Sequence, residues 1–317
     1  MTYPETAAER DRWILSRRPP RSLLNPREPV AFFTEDERSS DGNIVPVAAI
    51  FLVNAECPFH CVMCDLWHNT LTAATQSGAV PEQIDFALKR LSRARAVKLY
   101  NSGSFFDSRA LPVEDYADVA ARVSGFDRVI VECHPAFVGE RCVKFRDMLP
   151  GKLEVAVGLE TAHPDVLEKL NKRMTLEQFG AAAAFLRDNA IDLRVFILVQ
   201  PPFMDVREAL YWAQRSLDFA FDHGATAATL IPTRGGNGAM ETLAASGDFT
   251  PPALRMLEAA MDYGLRLERG RVFADLWDLE QSGERACCFS SRVERLRAMN
   301  LSQRLTHSVR CNQCEGA

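Results

Sequence analysis

Long apolar runs are missing from this chain of 317 residues. No stretch of about 18 consecutive apolar residues occurs, so no membrane span is expected. The first residues are polar and lack an apolar signal core, which sets the expected location as cytoplasmic. Internal repeats and low-complexity tracts are also absent, which excludes solenoids and arrays. An excess of positive charge is lacking too. The net charge is −5, so the field of the whole molecule does not draw nucleic acid. One local exception runs through Arg10, Arg12, Arg17, Arg18, Arg21 and Arg27, against the single acid Asp11. Such an arm suits phosphates or an acidic partner, or is simply a solvated face. Cysteine is sparse and odd in number, at nine, yet three lie within one loop. In a chain of this size, that points to metal binding rather than a disulfide framework.

What is present is a regular alternation. Strand-like runs stand at 47–54, 96–101, 128–132, 153–159, 193–199 and 227–231, the first entered through Pro46. Helix-like stretches fall between and after them at 81–92, 113–123, 138–147, 164–171, 176–189 and 206–223. Several strands are near-continuous apolar runs, which suits parallel strands buried on both faces. Strands alternating with helices predict a parallel α/β sheet with right-handed crossovers, either open or closed into a barrel. In both, chemistry gathers at the carboxyl ends of the strands. The expected division is an irregular extension over 1–45, a core over 46–235, and a C-terminal extension over 236–317 with a helix at 253–266.

The loop after the first predicted strand reads Asn54-Ala-Glu-Cys57-Pro-Phe-His-Cys61-Val-Met-Cys64. Three thiolates so spaced can ligate three irons of a [4Fe–4S] cube and leave the fourth open to a small molecule. A zinc ion completed by His60 or His68 is the rival, as in a zinc-stabilised binding module without redox chemistry.

This C-x3-C-x2-C loop resembles that of the radical S-adenosylmethionine (SAM) enzymes. The resemblance implies a partial (β/α)6 barrel of TIM type. It further implies a cluster on Cys57, Cys61 and Cys64, chelated by SAM, which is cleaved to a 5′-deoxyadenosyl radical that abstracts hydrogen. An electron donor such as flavodoxin or ferredoxin is implied with it. The residue before the third cysteine is usually aromatic in the family. Here it is Met63, which can still pack on an adenine face. Further SAM contacts are implied at Asn101, Ser102, Gly103 and Ser104, and at Glu132. Gly158 and Glu160 fall near the ribose and adenine, Arg173 near the SAM carboxylate, and Gln200 in the pocket wall. Turn, helix-end and cap roles are the plainer readings of these residues. No catalytic residue beyond the cluster is assigned. The wording of LYNSGSFFD, VIVECHP, VAVGLET and VFILVQPPF is similar to a branch near the elongator catalytic subunit and the archaeal archaeosine-forming enzyme. That likeness implies a modified nucleoside or tRNA as substrate; a small-molecule biosynthetic enzyme is the alternative.

Cys287, Cys288, Cys311 and Cys314 form a second group, expected to hold zinc or an auxiliary cluster. Cys133 and Cys142 read as core thiols. Trp67 and His68 either face the substrate or cap the loop, and His134 either moves protons or is structural. Arg234 is a candidate grip for an anionic substrate, and Trp277 reads as core.

Overall fold

The structure, a computed structural model, describes residues 2–279 and 287–311. One sheet carries eight strands in sequential order: β1 (Ala31–Arg38), β2 (Ile44–Phe51), β3 (Ala96–Tyr100), β4 (Arg128–Cys133), β5 (Lys152–Glu160), β6 (Asp192–Val199), β7 (Ala227–Pro232) and β8 (Arg271–Ala274). β1 and β2 pair antiparallel, and every later neighbour pairs parallel. The described helices are α1 (Ala7–Leu15), α2 (Ala79–Leu88), α3 (Tyr116–Arg122), α4 (Glu140–Arg146), α5 (Pro164–Lys169), α6 (Leu176–Asp188), α7 (Val206–Asp222), α8 (Ala239–Ser246), α9 (Leu254–Arg266) and α10 (Phe289–Ser302).

The expected six-stranded parallel core is β2 to β7. Both expected extensions prove to be part of the same sheet, since 1–45 supplies β1 and 236–317 supplies β8. β1 reads AFFTEDER, and its acids look like a solvated surface in the sequence. The partners that bury them come from distant strands. Pro46 lies inside β2 rather than before it; its missing N–H is tolerated, and its carbonyl still accepts from Arg95 N at 2.9 Å.

Strand alternation sorts the residues into two faces. Ile50, Leu99, Val131, Val155, Val195 and Leu230 join the large core under the helices. The opposite face lines the barrel interior. Towards the amino ends of the strands, that interior is filled by charge. Arg194 Nη2 lies 2.6 Å from Glu37 Oε1, and its Nε lies 2.6 Å from Glu154 Oε1. Glu154 also takes Arg128 at 2.8 Å and Arg271 at 3.0 Å. Lys98 reaches Glu35 at 2.7 Å and Glu37 at 2.6 Å, and Arg128 reaches Asp192 at 2.5 Å. Buried charges persist only when paired and hydrogen-bonded in this way.

The network also joins the two ends of the sheet. β1 and β8 share no ladder. Arg271 of β8 instead donates to Arg38 O at 3.3 Å and approaches Glu37 at 3.6 Å. α10 packs against both edge strands from outside.

Burial raises the energy of the Glu154 carboxylate, but Arg194, Arg271 and Arg128 outweigh it and hold the carboxyl at about 2. A depressed folded pKa contributes stability that is complete above the ordinary value of 4.5 and is lost as pH falls towards 2. Denaturant unfolding should therefore show stability declining below about pH 4.5. Glu154→Gln should cost about 3–5 kcal/mol at neutral pH and flatten that acid decline.

Candidate functional site

The cysteine loop leaves the carboxyl end of β2 and is held on several sides. Val62 N donates to Leu170 O at 3.0 Å, beyond α5. Asn237, in the glycine-rich loop after β7, donates from Nδ2 to Val62 O at 2.8 Å and Cys64 O at 3.0 Å. Asn171 Nδ2 donates to His60 O at 2.8 Å. From the N-terminal arm, Arg18 pairs with Glu56 at 2.5 Å and Arg21 pairs with the same carboxylate. Both arginines also stack on Trp67, which is buried and lies against His68. Trp67 thus caps the loop, and Arg18 and Arg21 of the arginine arm are committed to it. Arg10 and Arg27 have partners as well, Glu168 and Glu82.

Cys57, Cys61 and Cys64 are each pushed up to about 12, first by burial, and each is raised further by the charge of another of the three. They are near enough to feel one another. Among the described residues, however, no three His, Cys, Asp or Glu side chains gather as a single metal ion needs. A zinc ion with bonds of about 2.3 Å draws its sulfurs to within about 4 Å of each other. A cube instead spreads its thiolate ligands over separate irons, so three thiols of one loop could each hold one.

Lys172 is the cation of the site, and it lowers both Cys57 and Cys61. Its Nζ lies 2.7 Å from Glu160 Oε1, and both side chains are buried. Gly158 makes room for that pair. A Cβ there would fall 2.1 Å from Glu160 Oε1 and 2.7 Å from Lys172 Nζ. The SAM-carboxylate cation was expected at the neighbouring Arg173. That side chain turns away instead and binds Asp11 at 2.6 Å and Ala7 O at 2.9 Å, both on α1. Asn171 and Arg173 both have positive φ, at 58° and 59°, and this kinked turn sends successive side chains in different directions.

The other expected contacts divide. Asn101 N donates to Glu132 Oε2 at 3.1 Å, while Asn101 Oδ1 is buried without a protein partner. Ser102 has a φ of 46°, and Gly103 backs onto Cys57, where a Cβ would meet Cys57 Cβ at 3.4 Å. These residues and Glu132 lie beside the cysteine loop. Glu132 is pushed up to about 7 by burial. Ser104 is structural, since its Oγ accepts from His134 N at 2.9 Å. Gln200 donates to Thr250 O at 2.6 Å, which commits it to the wall. Met63 packs against an apolar cluster containing Val62 and Leu170.

His134 is held in one tautomer. Its Nδ1 accepts from Ala136 N at 3.1 Å, so Nε2 carries the proton towards Lys172 O at 2.9 Å. Burial, then Lys172, lowers it to about 3, which removes it as a proton carrier near neutrality. Cys133 and Cys142 are buried, as read. Arg234 is paired with Asp275 and donates to Trp277 O at 2.6 Å, so its grip is internal. Trp277 is not core. It is 51% exposed and stacks on Phe33.

In the C-terminal segment, Cys287 Sγ lies 3.1 Å from Cys311 Sγ. Cys288 is buried and accepts from Arg292 Nε at 3.2 Å. Cys314 lies outside the described residues. Lys172 and Asn237 were not singled out from the sequence. The run Asn171-Lys172-Arg173 and the glycines around Asn237 were the only signals available.

No protein-family profile matches the chain. An uncharacterized protein of Methanocaldococcus jannaschii is 25% identical over 250 residues, covering 74% of this chain and 68% of its own length. Archaeosine synthase subunit beta of Thermococcus kodakarensis is 26% identical over 166 residues, half of this chain and 51% of that protein. The chain thus spans about half the length of that named relative. The solved structure of methylornithine synthase superposes with a TM-score of 0.50 at 13% identity, covering 78% of this chain and 81% of that one. The chain thus shares the α/β half-barrel fold of that solved structure, the fold class that the resemblance of the Cys57, Cys61 and Cys64 loop implied.

Proposed function

We propose that this chain is a radical SAM enzyme whose cluster is held by Cys57, Cys61 and Cys64. The observation that carries the reading is the placement of three half-buried thiols in one loop at the carboxyl end of β2. Each is near enough to another of the three to be raised by its charge. When bound, a [4Fe–4S] cluster supplies the electron that splits SAM into methionine and a 5′-deoxyadenosyl radical able to take hydrogen from a substrate.

The chain's own residues prepare that site. Lys172 places positive charge beside Cys57 and Cys61 and so favours their thiolates. Glu160 holds Lys172 in place at 2.7 Å. Asn101, with an unpartnered buried oxygen, and the Ser102-Gly103 backbone offer polar contacts to the amino acid end of SAM. Glu132 faces the same space. Walls from β2 to β7 keep bulk water from the reacting atoms. An external electron donor, of the flavodoxin or ferredoxin kind, completes the scheme.

For the substrate, the relatives named archaeosine synthase support a modified nucleoside, free or within tRNA. One observation favours a free small molecule over tRNA: Arg10, Arg18, Arg21 and Arg27 are paired internally with Glu168, Glu56 and Glu82. In the C-terminal segment, Cys287, Cys288, Cys311 and Cys314 are the proposed ligands of a zinc or auxiliary-cluster site. Its metal would appear in analysis beyond the iron of the first cluster.

Protein prepared without oxygen should be brown, carry iron and sulfide, and form 5′-deoxyadenosine from SAM after dithionite is added. Replacing Cys57, Cys61 and Cys64 together by Ala should abolish that product, and its persistence would reject the assignment. Gly158→Ala should part Glu160 from Lys172. It should lower stability by about 3 kcal/mol in urea and reduce iron content. Bulk tRNA should bind with little dependence on salt if the paired arginines indeed leave no phosphate grip.

A further inference from the structure

Along each strand, the residue facing the barrel interior near the carboxyl end differs from its neighbours. Phe51, Tyr100, Glu132, Gly158, Phe196 and Thr229 are each partly accessible, while the residues on either side of each are buried. Nearer the amino ends, the inward residues Lys98, Arg128, Glu154, Arg194 and Arg271 are buried in the charge network. The interior is therefore more accessible towards the carboxyl ends than in the charge layer. We read this accessible upper part, at the level of the cysteine loop, as a cavity.

The wall of that cavity is a continuous run of aromatic rings. Trp277 stacks on Phe33 with centroids 5.6 Å apart and planes within 15°. Phe51 lies 6.0 Å from Trp277 and 5.8 Å from Tyr100. Tyr100 meets Phe196 edge-on at 6.2 Å. Gly158 pairs in register with Phe196 and adds no side chain beside that ring, its own space being taken by Glu160 and Lys172. Thr229, on the other side of Phe196 in register, has a buried hydroxyl without a partner.

The charges nearest the rings are spent. Lys98 is held by Glu35 and Glu37, and Arg234 by Asp275. A phosphate or carboxylate entering here would meet no cation without a carboxylate already beside it. What the wall offers is aromatic surface, the Thr229 hydroxyl and the Glu132 carboxyl, whose Oε2 already accepts from Asn101 N.

We infer that this upper cavity receives the part of the substrate that reacts, and that this part is an uncharged planar aromatic or heteroaromatic ring. The inference rests on the proposed radical SAM function and adds to it the chemical character of the group that reacts. Offset and edge-on contacts with Phe51, Tyr100, Phe196 and Trp277 select a flat π surface over an aliphatic ring of equal size. Glu132 and Thr229 then orient the ring by hydrogen bonds.

Equilibrium dialysis of the full chain with its cluster, at saturating SAM, tests this. The probes are guanosine and indole as planar rings and cyclohexanol as a non-planar one. The planar probes should bind at least about tenfold more tightly than cyclohexanol. Phe51→Leu with Phe196→Leu keeps the wall apolar and should remove about tenfold of that preference. Equal binding of cyclohexanol overturns the inference, as does full preference in the folded double variant. Planar-probe binding that is present without SAM and lost at saturating SAM also overturns it, because the rings would then serve the adenine. If the double variant does not fold, the wild-type comparison decides alone. Wild-type protein that makes no 5′-deoxyadenosine sinks the proposed function, whereas the ring preference is read without that reaction.

Discussion

The buried ion cluster around Glu154 and Arg194 is the constraint on which the rest of the barrel depends. Parallel strands of an eight-stranded sheet curl naturally, but here the first and last strands do not meet through backbone hydrogen bonds. Closure is made by side chains. Glu37 on β1, Glu154 on β5, Arg194 on β6 and Arg271 on β8 meet inside, where each charge has lost its water. Such a network tolerates little misplacement, because a displaced partner leaves a bare charge in a low dielectric. It fixes the curvature of the sheet, and so where each carboxyl end points.

Above that floor, the same inward face changes character within two residues along a strand. Lys98 gives way to Tyr100 on β3, and Arg194 to Phe196 on β6. The lower layer excludes water by being full, and the upper layer leaves room. Gly158 marks the transition on β5, since a side chain there would collide with Glu160 and Lys172. The cavity is thus a product of residue size and charge at matched registers.

The cysteine loop illustrates how a loop becomes rigid without regular structure. Its carbonyls at His60, Val62 and Cys64 accept from Asn171 and Asn237, and its amide at Val62 donates to Leu170 O. Glu56 is clamped by two arginines from the N-terminal arm. These contacts come from segments far apart in the chain. They spend Arg18 and Arg21 on the site's own scaffold, so those two charges of the basic stretch are already matched by Glu56.

The sequence alone determined the alternation of β2 to β7 with helices, the placement of the three cysteines after β2, and the core thiols Cys133 and Cys142. Those features are local: period-two and near-continuous apolar runs, and a short motif with its own spacing. Strand edges shifted by a few residues, as at Pro46, because ladder pairing rather than propensity sets them. Tertiary structure decided what distant partners decide. It paired β1 with β2 and β8 with β7 and linked the two ends through Glu37 and Arg271, turned Lys172 rather than Arg173 towards the thiols through two positive-φ residues, and neutralised Arg234 with Asp275. It also placed Trp277 on the rim of the cavity. A charge or a ring shows its type in the sequence, but which group faces it depends on long-range packing.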